Sequence, residues 1–71
     1  MVNTTKIKAR MIEFGFTQKD LAKALNIATP TMSQKLNNIR PMYLKEADQL
    51  ADILKIDTNN FGEYFFTSNI A

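Results

Sequence analysis

The stretch Thr17-Gln18-Lys19-Asp20-Leu21-Ala22-Lys23-Ala24-Leu25-Asn26-Ile27-Ala28-Thr29-Pro30-Thr31-Met32-Ser33-Gln34-Lys35-Leu36-Asn37 decides the fold. Thr17 has the chemistry of a helix start: its hydroxyl can accept from the backbone amide of Asp20, and the Asp20 carboxylate suits the positive end of the helix. Leu21, Leu25 and either Ala22 or Ala24 then fall on one face. Asn26 tolerates the left-handed conformation and stops the helix, and Ile27 follows as an apolar plug. A second start comes at once, with Thr29 expected as N-cap and Pro30 at the first helical position, where a missing amide hydrogen costs nothing. Met32 and Leu36 mark the buried side of a helix that reaches about Asn37. Two short helices joined by a tight turn form a unit whose second helix can protrude and enter a major groove about 12 Å wide.

The flanks extend the same pattern. Upstream, a helix is expected from Thr4 or Thr5 to Phe14, with Ile7, Met11 and Phe14 on its inner stripe, Lys6 and Arg10 opposite, and Gly15 as the stop. Downstream, a fourth helix begins after Pro41 and runs to Leu54, burying Leu44, Ala47, Leu50, Ala51 and Leu54. A short aromatic fifth helix spans about Asn59 to Phe66, and the tail 67–71 is expected to fray. With no alternating stretch long enough for a strand, the fold class is all-α, in one domain over residues 1–71 with its core at about 4–66.

Seventy-one residues leave room for one thin core and little for a catalytic cleft. The chain has neither Cys nor His, so it lacks the usual thiol, zinc and haem ligands and the commonest general base; no metal site and no cofactor are expected. Asp48 and Asp52, four residues apart, read as a solvated face rather than a carboxylate pair. No small-molecule substrate is expected, and nothing argues for a membrane span or a signal peptide, so the expected location is the cytoplasm. Charge is lopsided: residues 1–45 carry eight bases against Glu13 and Asp20, a balance of +6, while residues 46–71 carry Lys55 against five acids, a balance of −4. That asymmetry suggests one half facing a polyanion.

Thr17 to Thr29 resembles the pattern T-Q-x-x-L-A-x-x-x-G-[IV]-S of the Cro/CI-type (XRE) helix-turn-helix family, and Tyr43 to Asp57 is similar to that family's fourth helix with its L-A-x-x-L-x-[VI] ending. The resemblance covers about residues 5–66 and implies a five-helix, lambda-repressor-like domain that binds double-stranded operator DNA. It implies base-reading roles for Thr29, Pro30, Ser33 and Gln34. It implies phosphate contacts for Gln18, Lys19, Thr31, Lys35, Asn37, Asn38 and Arg40. Two departures stand out: Asn26 replaces the usual turn glycine, and Pro30 can offer a base only apolar contact. Small chains of this family resemble the Cro-like and modulator-of-repression proteins of temperate bacteriophages, whose task is the choice between lytic and lysogenic growth. One monomer would read few bases, so specific affinity calls for a two-fold homodimer or a second protein, such as a CI-type repressor from the neighbouring gene.

Phe61, Tyr64, Phe65 and Phe66 crowd the last helix. The first three share a stripe suited to core closure, which leaves Phe66 and one neighbour outside as a protein-interface candidate. A regulator that grips mainly the partner repressor, and an antitoxin, are the alternatives that share the fold.

Overall fold

In a computed structural model, which describes residues 1–67, the chain forms α1 (Thr4–Phe14), α2 (Gln18–Leu25), α3 (Thr29–Leu36), α4 (Leu44–Ile53), a 3-10 turn (Thr58–Asn60) and α5 (Phe61–Phe65). There is no strand among the described residues, and the expected frayed tail lies from residue 68 onward outside them.

Helix starts and stops follow local chemistry. The Thr17 hydroxyl accepts from the Asp20 amide at 3.1 Å, and the Asp20 carboxylate accepts from the Thr17 amide at 2.8 Å, closing a reciprocal capping box. α1 begins at Thr4, as expected, and Asn3 caps it through its side-chain oxygen. At the start of α3 the N-cap is Ala28, not Thr29; Thr29 is the first helical residue and Pro30 the second.

Four helix ends share one device: a residue at positive φ, then an amide that reaches back five residues to a carbonyl. Gly15 precedes Phe16, which bonds Met11; Asn26 precedes Ile27, which bonds Ala22. Asn38 precedes Ile39, which bonds Gln34, and Lys55 precedes Ile56, which bonds Ala51. Phe16, Ile27 and Ile56 then turn onto the core, whereas Ile39 stays 71% exposed.

The core gathers one face from each helix: Ile7 and Met11, Leu21 and Ala22, Met32 and Leu36, Ala47, Leu50 and Leu54, and Phe65. Each large member contributes about 1.5–3 kcal/mol by leaving water. α2 and α3 pack most closely, with Ala22 at 1% exposure between them; Ala24 lies outside, so Ala22 is the buried alanine of the expected pair.

Two expected core residues are outside. Phe14 is 38% exposed because the turn at Gly15 brings Phe16 inward in its place, and the Phe14 ring lies 4.5 Å from the Arg10 guanidinium. Leu44, the first residue of α4, is 59% exposed, while Met42 in the preceding loop packs on the core. Val2, which no periodicity marks, is buried at 4%. Its amide donates to Asn38 Oδ1 at 2.8 Å and its carbonyl accepts from Asn38 Nδ2 at 2.9 Å.

Candidate nucleic-acid interface

The outward face of α3 follows from which residues it buries. Met32, Lys35 and Leu36 point into the molecule, so at about 100° per residue Pro30, Ser33, Gln34 and Asn37 lie opposite. Thr29 and Pro30 are exposed at its first turn, and Thr31, Ser33 and Gln34 are half-buried along its length. Ala28 offers no side-chain acceptor, so the first amides of α3 are open to an acceptor from outside.

α2 flanks this face with Gln18, half-buried at its first position, and with the exposed Lys19 and Lys23. None of these three side chains makes a hydrogen bond or salt bridge among the described residues. Asp20 beside them is held below its ordinary value of 3.8, chiefly by the Thr17 backbone amide, then by the Thr17 hydroxyl and the charges of Lys19 and Lys23.

The structure does not bring all seven expected phosphate-contacting residues to one surface. Lys35 is withdrawn: its ammonium lies 2.9 Å from Glu46 and 3.1 Å from the Pro41 carbonyl, over the Tyr43 ring, at 7% exposure. Asn38 spends both ends of its amide on Val2. Asn37 donates to the Ser33 carbonyl at 2.8 Å and accepts from Lys8 at 3.3 Å, so it finishes α3. Arg40 donates from Nε to Gln34 Oε1. The side chains of Gln18, Lys19 and Thr31 make no hydrogen bond or ion pair among the described residues.

The charge asymmetry contracts in the same way. Lys6 pairs with Glu63 at 3.3 Å, Arg10 with Glu13 at 3.5 Å, and Lys35 with Glu46. Arg10 also donates to the carbonyls of Leu54 and Lys55, satisfying the end of α4. Lys8 stands beside Asn37 at the end of α3 and, like Lys23, carries no local mark of a contact role; its place depends on how α1 lies against α3. Asp48 and Asp52 are exposed on α4, and no group of three or more His, Cys, Asp or Glu that could hold a metal ion occurs among the described residues.

Ile39, Phe66 and Met1 are 71%, 56% and 54% exposed, and they line a shallow groove with Val2, Asn38, Arg40, Pro41, Met42 and the buried Phe65. Phe61 and Tyr64 are half-buried against the core, and Phe61 lies 4.9 Å from the Phe65 ring and 5.6 Å from that of Phe66. Among the described residues no helix is long and apolar enough to cross a membrane.

A five-helix fold that projects α3 from a platform made by α2 defines a helix-turn-helix DNA-binding protein. Residues 6–64 match the family model described as the Cro/C1-type HTH DNA-binding domain, and the chain belongs to that family. It is therefore a helix-turn-helix transcriptional regulator whose partner is DNA. No curated protein matches the chain.

Proposed function

We propose that this regulator is of the phage Cro-like or modulator-of-repression type, binding double-stranded operator DNA with α3 in the major groove and acting in a switch between lytic and lysogenic growth. The observation that carries the reading is the polar outer face of α3 standing beside Gln18, Lys19 and Lys23, whose side chains make no hydrogen bond or ion pair among the described residues. Thr29, Ser33 and Gln34 meet base edges, with Pro30 limited to apolar contact, and Gln18, Lys19, Thr31 and Lys8 meet phosphates.

The groove around Ile39 and Phe66 favours assembly with a second protein. Among the described residues Ile39 is the one apolar residue of the four helix-stop motifs that stays exposed. A second copy of this chain is the occupant proposed. The principal extents of 27 × 24 × 21 Å suit a two-fold pair presenting helices to half-sites about 34 Å apart. A CI-type repressor domain on the same groove is the other outcome.

The test is an electrophoretic shift with duplex flanking the chain's own gene, across a salt series and with and without the neighbouring repressor. Log affinity should fall with log salt by about 0.9 for each phosphate neutralised. Binding only when the repressor is present, or retention that ignores salt, would move the function from duplex to protein partner.

A further inference from the structure

We infer that Arg40 decides which base Gln34 reads, by occupying the oxygen of its amide so that the groove meets hydrogen-bond donors; this rests on the duplex reading above. Arg40 Nε donates to Gln34 Oε1. A guanidinium has no acceptor, so the amide oxygen must be the end turned toward it and the Nε2 group the end turned away.

The backbone enforces the pairing. The Gln34 carbonyl accepts the amides of both Ile39 and Arg40, at 2.8 and 3.2 Å, and Asn38 at φ 61° makes the turn that folds the segment back over the end of α3. The two side chains therefore meet just beyond the end of α3, Gln34 on the face opposite Met32 and Leu36 and Arg40 at the rim of the groove around Ile39.

A free glutamine reads adenine with both ends of its amide, accepting from N6 and donating to N7. Here the oxygen is committed and flanked by the donors of a cation. The Nε2 hydrogens remain, and the Arg40 terminal nitrogens make no hydrogen bond among the described residues. A purely donating pair suits guanine, whose O6 and N7 are adjacent acceptors, and it sets donor against donor at the adenine amino group. Arg40 is a positioning residue for Gln34 in this account, in place of the phosphate contact expected of it.

The experiment selects from a pool of randomised duplexes with the full chain, its Gln34→Ala variant and its Arg40→Met variant, with Arg40→Ala as a shorter truncation. Gln34→Ala locates the base pair by erasing preference there. At that pair the unaltered chain should take guanine over adenine by roughly tenfold. Arg40→Met should shift the preference toward adenine there and nowhere else. Arg40 is exposed and among the described residues its side chain bonds only Gln34, so helical circular dichroism should be unchanged in both truncations. Adenine preferred by the unaltered chain, or an Arg40→Met variant that weakens all duplexes alike with its base preference intact, would overturn the inference while leaving duplex binding in place. Failure of the unaltered chain to retain any duplex at low salt would instead remove the reading on which it rests.

Discussion

Lys35 and Glu46 join α3 to α4 through a 2.9 Å ion pair whose side chains are 8% and 17% exposed. Glu46 Oε1 also accepts from the Tyr43 amide at 2.9 Å, so one carboxylate ties α3 to α4 and closes the loop between them. Removing one partner of such a pair leaves a charge uncompensated, whereas removing both does not. Glu46→Leu should therefore cost about 3 kcal/mol by urea denaturation, and Lys35→Met combined with Glu46→Leu should recover most of it. In the duplex assay Lys35→Met should leave the salt slope unchanged, while Lys19→Met should lower it by about 1.

The Thr17–Asp20 capping box gives the protein an acid-sensitive helix start. Asp20 is held below its ordinary value because its ionised form accepts hydrogen bonds from the Thr17 amide and hydroxyl. The unfolded chain takes up the proton first as pH falls, so this contribution is complete above the ordinary value of 3.8 and is lost as pH drops toward the folded value. Thermal melts should show the unaltered protein more stable than Asp20→Asn near neutrality, with the gap closing only as pH falls below 3.8. Thr17→Ala should cost about 1 kcal/mol.

Asn38 fastens the N-terminal segment through its two bonds to Val2. Asn38→Ala removes both bonds to Val2 and places a Cβ-bearing residue without a polar side chain at φ 61°, so a loss of about 1–3 kcal/mol is expected. Asn38→Gly relieves the conformational part only and should fall between the two. Hydrogen exchange at the Val2 amide should quicken in both, with the salt slope of duplex binding unmoved.

If two copies meet at the groove, trimming it must change mass. Phe66→Ser and Ile39→Ser should each shift sedimentation toward the monomer and weaken binding to a two-half-site duplex by at least tenfold, while a single half-site is bound as before. Unchanged mass in both variants would remove the homodimer from the reading.

The helices were legible because their signals are local. Thr17 and Asp20 lie three residues apart, Gly15 and Asn26 declare the stops, and the stripes of α2, α3 and α4 repeat within one or two turns. Pattern misled where a residue sits at an element's edge. Phe14 and Leu44 have the right spacing but lie at the last and first positions of their helices, and Phe16 and Met42 in the adjoining loops take the inward places. Thr29 looked like a cap because threonine often is one, yet the extended residue before the helix is Ala28.

The candidate surface was legible only as a set of residue types. Lysine, asparagine and arginine on and after α3 share the same polar chemistry in the sequence, but the fold gives them different work. Lys35 is drawn 11 positions along the chain to Glu46, Asn38 is drawn 36 positions to Val2, and Arg40 turns back onto Gln34.

Sequence alone determined that the chain is helical and where α1 and α2 lie, because capping and amphipathic periodicity act over three to seven residues, and its resemblance to a helix-turn-helix family pointed to DNA. Tertiary structure alone decided which polar groups stay available to a partner. A cation or amide carries no local mark of its eventual neighbour, and only the packing of α1 and α4 around α3 brings Val2, Lys8 and Glu46 within reach of the residues that the sequence had assigned to DNA.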